Sequence, residues 1–388
     1  MRDIDVAGKR VLVRADLNVP MDDGAVADDT RIRQSLPTLQ YLQEAGATVL
    51  VCSHLGRPEG RPDPALSLAP VAIRLGELLG GEVRFAADCI GAAAEEVGAM
   101  LARGEVAVLE NVRFHAEEEA NDATFAAALG ALADIFVNDA FGAAHRAHAS
   151  TAGVAAFLPA VAGLLMENEV RYLSALVANP PRPFVAIVGG AKVSTKIAAI
   201  DHLLPKLDGL LVGGGMANTF LKASGLEVGT SLVEDDLLDT ARAILARAQG
   251  LRVAVHLPAD VIVAPALAVD SPATILPVTA IPPDQMILDI GPATLASFAA
   301  ALAGAAAVVW NGPMGVFELE PFAAGSFGLA RCLAGLDATT VVGGGETAAV
   351  VARAGLAGRF SHVSTGGGAS LELLEGRELP GVAALLDA

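Results

Sequence analysis

Two lysines, Lys192 and Lys196, follow a glycine pair at the end of an apolar run, in Val188-Gly189-Gly190-Ala191-Lys192-Val193-Ser194-Thr195-Lys196. Glycines let backbone amides approach an anion, and a helix start offers unpaired N–H groups with a partial positive charge. The spacing predicts a helix beginning at once, with both ammonium groups on one face. That combination suits a polyphosphate. It is not a Walker-type loop, because no G-x-x-x-x-G-K-[ST] occurs in the chain.

A second set of candidates is cationic and lies in the first half. Arg14, Asp16 and Asn18 follow one predicted strand, and Arg31 and Arg33 open the next helix. His54, Leu55, Gly56 and Arg57 follow a second strand, Arg113 a third, and Arg146 with His145 and His148 a fourth. Guanidinium groups bind carboxylate and phosphate oxygens through paired donors, so a rim of them suits a small, multiply anionic metabolite. His145 and His148 have no third metal ligand beside them, and Cys52 reads as a buried strand residue.

More glycine-rich junctions follow in the second half: Gly213-Gly214-Gly215, Gly343-Gly344-Gly345-Glu346-Thr347 and Gly366-Gly367-Gly368. Glu346 is the acid within these loops, placed for magnesium or for a helix start. Glu318 ends the turn Trp310-Asn-Gly-Pro-Met-Gly-Val-Phe-Glu318, where a carboxylate can accept from ribose hydroxyls.

These residues need a frame that brings strand ends together. The 388 residues allow about two domains. Hydrophobic residues make up 53% and charged residues 18%, enough for large cores. A net charge of −18 argues against general affinity for nucleic acid or acidic membranes. Three scattered cysteines give no disulfide framework and no C-x-x-C pair, which points to a reducing, cytoplasmic setting. Met1–Lys9 does not read as a signal peptide. The uncharged run from Ile290 to Phe317 is divided by Gly291-Pro292, Gly304 and Gly312-Pro313, so it is not read as a membrane span.

Apolar runs alternate with helical patterns along the chain. Strands are predicted at Arg10–Ala15, Thr48–Cys52, Val106–Leu109 and Asp134–Val137. The second half adds Phe184–Val188, Gly209–Val212, Arg252–His256, Met286–Asp289, Ala306–Trp310 and Thr339–Val342. This βαβ rhythm predicts an α/β protein of two Rossmann-like, parallel-sheet, three-layer αβα domains joined by a helix hinge. The predicted limits are 1–165, a connecting helix and proline-rich exit at 166–183, 184–370, and a segment 371–388 returning to the first domain.

Taken together, Arg10-Val-Leu-Val-Arg-Ala-Asp-Leu-Asn-Val-Pro20, Ser53-His-Leu-Gly-Arg57, Leu109-Glu-Asn-Val-Arg-Phe114, Gly189-Gly-Ala-Lys-Val-Ser-Thr-Lys196, the Trp310–Glu318 turn and Ser364-Thr-Gly-Gly-Gly-Ala-Ser370 resemble phosphoglycerate kinase over nearly the whole chain. The resemblance implies a monomeric, hinge-bending glycolytic enzyme that moves a phosphoryl group between 1,3-bisphosphoglycerate and ADP, giving 3-phosphoglycerate and ATP with magnesium. It implies a 3-phosphoglycerate site of Asp16, Asn18, Arg31, His54, Leu55, Gly56, Arg57, Arg113 and Arg146. Lys192, Lys196, Gly213, Gly214, Glu318, Gly343, Gly344, Gly345, Glu346 and Thr347 would form the nucleotide site. Arg31, Lys192 and the helix start at Gly367 would face the group in flight. One residue departs from the family pattern: the family's aspartate is Glu346 here, whose extra methylene allows magnesium contact either directly or through a water.

Two other classes fit less well. A nicotinamide dehydrogenase needs G-x-G-x-x-G and a later acid, a spacing that Gly213-Gly-Gly-Met-Ala-Asn218 does not supply. A solute-binding protein that closes without chemistry would carry an export signal.

Overall fold

The computed structural model describes residues 1–385. The chain divides into two compact units, Met1–Val170 with the chain from Glu378 onward, and Arg171–Arg377. Helix Leu164–Ala178 crosses the division along the chain.

The first unit contains β1 (Arg10–Arg14), the hairpin strands β2 (Met21–Asp22) and β3 (Ala25–Val26), β4 (Thr48–Cys52), β5 (Val83–Ala86), β6 (Val106–Leu109), β7 (Ile135–Asn138) and β8 (Ala160–Ala162). Apart from the hairpin, they form a six-stranded sheet in the order β5-β6-β4-β1-β7-β8, with parallel pairing throughout. The alternation of side chains shows why both faces are covered. Val11, Val13, Val49, Val51, Val106 and Val108 pack with Ile32, Leu39 and Leu75 on one face. Leu12, Leu50, Cys52, Ala107 and Leu109 pack with Phe125 and Leu129 on the other. Removing one such wholly buried leucine, for example Leu12→Ala, costs about 2–5 kcal/mol.

In register, Arg14 pairs with Cys52 on one side and Asn138 on the other. The loops after β1, β4 and β7 therefore leave the sheet side by side, where ligands bind in parallel sheets.

The second unit contains β9 (Phe184–Val188), β10 (Gly209–Val212), β11 (Ala254–His256), β12 (Asp260–Ala264), β13 (Thr274–Pro277), β14 (Met286–Ile290), β15 (Ala307–Asn311), β16 (Thr339–Gly343) and β17 (His362–Val363). Six of these strands form a parallel sheet in the order β11-β10-β9-β15-β16-β17. Asn311 pairs with Val188 and with Gly343, and Val212 pairs with Val188, so the glycine turns leave the sheet at one level.

The chain departs from an all-parallel reading at Met286–Asp289. That strand lies in a separate three-stranded sheet, β13-β12-β14, paired antiparallel. No helix separates β11, β12, β13 and β14, so the chain doubles back without a crossover. At the C-terminus, helix Gly368–Leu374 belongs to the second unit, and the first unit resumes at Glu378 rather than at 371. Gly381 is tied there by its N–H to Ala144 O at 2.8 Å and by its carbonyl to Asn138 Nδ2 at 3.1 Å. Residues 386–388 of the expected returning segment lie outside the described residues. Among the described residues no helix is long and apolar enough to cross a membrane.

Candidate active site

The first unit builds its cationic rim on a buried network. Arg14 is 1% exposed at the end of β1. Its Nε donates to Ser150 Oγ at 2.8 Å, and Ser150 in turn donates its hydroxyl to Glu118 Oε1 at 2.6 Å and its N–H to Oε2 at 2.8 Å. Glu118 is fully buried, so a carboxylate and a guanidinium share one hydroxyl inside the core. Arg14 Nη2 lies 3.0 Å from His54 Nδ1. A guanidinium only donates, so Nδ1 accepts and a neutral ring carries its proton on Nε2. Burial, then the charges of Arg14, Arg113 and Arg31, hold the His54 pKa well below the usual histidine value. His54 is thus a neutral N–H donor set among arginines.

Around it, Arg31 Nη1 donates to both carboxylate oxygens of Asp16. Asn18 Oδ1 accepts from Gly56 N–H at 2.9 Å, and Arg113 Nη1 donates to Gly56 O at 2.8 Å. Asn111 Nδ2 holds Leu55 O at 2.7 Å. Gly56 has φ +61° and its α-carbon faces Leu66, so a side chain there would meet both strain and a clash. Arg113 is almost buried, 3.2 Å from Glu119, and burial lowers its pKa. His148, pushed down to about 4 by burial and then by Arg113, adds no positive charge near neutrality. Arg146 Nε lies 3.2 Å from His145 Nε2. Arg57 is exposed and makes no side-chain hydrogen bond or ion pair among the described residues. Arg14, Arg31 and Arg113 act on His54, and Arg146 acts on Arg113.

In the second unit the glycine turns interlock. Gly190 N–H donates to Pro313 O at 2.9 Å, Met216 N–H to Gly190 O at 2.9 Å, and Gly214 N–H to Met314 O at 3.1 Å. Gly214 has φ +64°, and a Cβ there would stand 2.6 Å from Gly190 N. Only glycine fits such an approach. Thr347 Oγ1 accepts from Gly312 N–H at 2.7 Å and locks the Gly343–Thr347 loop to the Trp310 turn. A cleft of about 490 Å³ opens beside these turns, lined among others by Gly190, Gly214, Leu288, Pro313, Glu318 and Glu346. Its volume suits a nucleoside-sized ligand.

The two lysines do not share a helix face. The helix after β9 starts at Ile197, with Lys196 at its N-cap, and Lys192 stands in the preceding turn. Glu234 holds that turn open by accepting Ser194 N–H at 3.0 Å and Ser194 Oγ–H at 2.6 Å, and Thr195 Oγ1 donates to Lys192 O at 3.0 Å. These side-chain bonds compete with helix formation. Lys196 instead reaches back to Asn311 Oδ1, half-buried, with burial lowering its pKa and Glu346 opposing that. Lys192 stays exposed. Gly367, with φ +51°, caps helix Gly368–Leu374 and leaves its surroundings open.

Glu346 stands in the first turn of helix Gly345–Arg353 and makes no hydrogen bond or ion pair among the described residues. A free hard-oxygen donor on the wall of that cleft fits a magnesium ion carried by a nucleotide.

A larger open cleft of about 780 Å³ lies between the β2–β3 hairpin and helix Ala69–Leu79. Its arginines, Arg33 and Arg74, are already paired with Asp29, so it offers little to an anion.

Sequence reasoning left Glu118, Ser150 and Glu234 unassigned. Glu118 is the middle of Glu117-Glu118-Glu119, where nothing in the residue type marks one of three acids as buried. Arg14 carried a signal, its place at a strand end beside Asp16.

The phosphoglycerate kinase family model matches residues 1–377. Similar curated proteins include the phosphoglycerate kinase of Pelotomaculum thermopropionicum, 58% identical over 387 residues and covering 100% of this chain and 98% of the relative. That of Synechococcus elongatus is 59% identical, covering 99% and 97%. Among solved structures, phosphoglycerate kinase from Coxiella burnetii matches with a TM-score of 0.90 at 45% identity, covering 99% of this chain and 98% of the other. The Pyrococcus horikoshii enzyme matches with 0.87 at 33% identity, with the same coverage. With a matching family model over residues 1–377 and relatives above half identity over 97–98% of their length, this chain belongs to the phosphoglycerate kinase family, kinases whose phosphoryl acceptor is a carboxyl group.

Proposed function

We propose that the chain transfers a phosphoryl group reversibly between the acyl phosphate of 1,3-bisphosphoglycerate and magnesium-ADP, in glycolysis, as a cytoplasmic monomer without nucleic-acid or membrane partners. The observation that carries the reading is the first unit's rim, where Arg31 and Arg113, with the buried Arg14 behind them, act on a neutral His54 in a protein of net charge −18. Such a rim is matched to a small polyanion.

In this reading Asp16 orients Arg31, and Asn18, Gly56 and Arg113 shape the loop that holds the glycerate. Arg57 and Arg146 contact the phosphate end, and His54 donates from Nε2. The glycine turns present amides to the nucleotide's phosphates, Lys196 neutralises them, and Glu318 accepts from the ribose. Glu346 would hold magnesium, directly or through a water, and the ion would neutralise phosphate charge there.

A carboxylate and a β-phosphate are both ionised nucleophiles at neutral pH, so transfer in either direction proceeds without a general base. The task left is electrostatic. Like charges about 4 Å apart repel by roughly 4 kcal/mol at an effective dielectric near 20. Arg31, Lys192 and the amides at Gly367 offset this as charge spreads over the equatorial oxygens of a metaphosphate-like group. Cleft closure by hinge bending at the helix 164–178 excludes water from the acyl phosphate.

The testing experiment is a coupled assay of ADP formation from ATP and 3-phosphoglycerate. The reading expects turnover that requires both substrates and magnesium. ATP consumption independent of 3-phosphoglycerate would refute it.

A further inference from the structure

Away from the anion rim, Asp88, Cys89 and His115 bring a carboxylate oxygen, a sulfur and a ring nitrogen within 4.8 Å of one another. Asp88 and Cys89 lie in the bend between β5 and helix Gly91–Met100, and His115 follows the short turn Val112–Phe114. The three are fixed in place. Cys89 N–H donates to Asp88 Oδ1 at 2.7 Å, His115 Nε2 lies 2.8 Å from the same oxygen, and the His115 ring packs against Phe125 with centroids 5.1 Å apart. Asp88 Oδ2 has no hydrogen-bond partner among the described residues.

Two features say what kind of ligand such a cluster takes. First, the charged groups acting most strongly on the Cys89 sulfur besides burial are the carboxylates of Asp88 and Glu118. A reactive thiolate needs nearby cations, which are missing from that set, whereas a bound cation would be welcomed by it. Second, the sulfur is buried while the Asp88 and His115 side chains are 45% and 28% exposed. The site is thus closed on the sulfur side and open on the oxygen and nitrogen side, as an entry path requires.

We propose that Asp88, Cys89 and His115 bind a thiophilic divalent cation of the zinc class, with water as fourth ligand. Sulfur and imidazole donors select zinc-like ions over magnesium. Tetrahedral bonds of about 2.0–2.3 Å put the ligand atoms about 3–4 Å apart, so atoms now separated by as much as 4.8 Å close by about 1 Å, while the 2.8 Å contact between Asp88 Oδ1 and His115 Nε2 opens slightly. On binding, the Cys89 thiol releases one proton to solvent. His115 moves its single proton from Nε2, where Asp88 Oδ1 accepts it, to Nδ1 and gives Nε2 to the metal, and Asp88 enters as the carboxylate. One proton therefore leaves per ion bound, and no redox change occurs.

The test uses the full-length chain without a polyhistidine tag, titrated with cobalt(II) as a spectroscopic probe in excess magnesium. The proposal expects one cobalt per chain, with a thiolate-to-cobalt charge-transfer band and d–d bands of tetrahedral intensity, displaced by zinc. Cys89→Ser abolishes the charge-transfer band. His115→Gln and Asp88→Asn, both at half-exposed side chains and so safer for folding, weaken affinity by at least about 10-fold. Cys332→Ser, a change at a different free thiol, leaves the spectrum unchanged. Absence of the charge-transfer band in the wild type overturns the proposal. So does its loss in Cys332→Ser, or equal affinity in all variants, which would mark adventitious binding to the acidic surface.

Discussion

Arg31 Nη1 donates to Asp16 Oδ1 at 2.9 Å and to Oδ2 at 2.8 Å, one nitrogen bridging both oxygens of a carboxylate that is 10% exposed in its side chain. The rest of the guanidinium, 37% exposed, keeps its remaining donors for a ligand. Asp16 thus aims Arg31 without consuming it. The pairing adds little to stability at that exposure; its effect is on orientation.

Arg31→Ala is expected to lower kcat by about 10²–10³-fold, the range for removing one donor aimed at developing charge. Calorimetry should still detect 3-phosphoglycerate binding, because Arg113, His54 and Asn18 remain. A kcat within a factor of about three of wild type would remove Arg31 from the transition state.

Lys196→Ala is expected to act on the nucleotide. Its ammonium is half-buried at a helix N-cap beside Asn311, and its loss should weaken ADP affinity by about 10-fold or more, from a single charge-assisted contact of about 1.5–3 kcal/mol. Unchanged ADP affinity with a fall in 3-phosphoglycerate affinity would contradict the assignment.

Asp139 gives a prediction about pH. It is fully buried, and burial pushes its pKa up to about 7 despite N–H donors at Leu165 and Met166. The unfolded chain titrates near 4, so between about pH 4 and 7 the folded state holds more protons. The stabilising contribution of protonated Asp139 is complete below the unfolded value and is lost as pH rises through the folded one. In denaturant titrations, Asp139→Asn should therefore flatten the decline in stability between pH 5 and pH 8 relative to wild type, with Asp289, also raised to about 7, supplying the remainder. An identical slope in the variant would show that Asp139 does not titrate in this range.

The parallel strands were legible because they are wholly apolar and short. Thr48–Cys52, Val106–Leu109, Phe184–Val188 and Gly209–Val212 stand in the structure at their predicted limits. Val83–Ala86 escaped notice because its residues are only half-buried at the sheet edge, which weakens the apolar signal. The antiparallel strand Thr274–Pro277 is mostly exposed and carries no periodic pattern strong enough to separate it from a loop. Helix spacing misread Lys192 and Lys196 because the Glu234 contacts that unwind residues 191–196 come from 40 residues away. Local sequence carries no trace of such a contact. The candidate site was visible wherever chemistry sat at a strand end, as at Asp16, His54 and Gly190. It was invisible where a polar group was buried behind the rim, as at Glu118 and Ser150.

In the proposed reaction the γ-phosphoryl group of ATP moves onto the carboxylate of 3-phosphoglycerate. The direct measurement is a single-turnover reaction with ATP labelled in that group, quenched into hydroxylamine, which traps acyl phosphates as the hydroxamate. The expected result is hydroxamate formed in proportion to ADP, dependent on 3-phosphoglycerate, and strongly reduced in Arg31→Ala. Label released as inorganic phosphate before the hydroxylamine quench, with no hydroxamate formed, would contradict it.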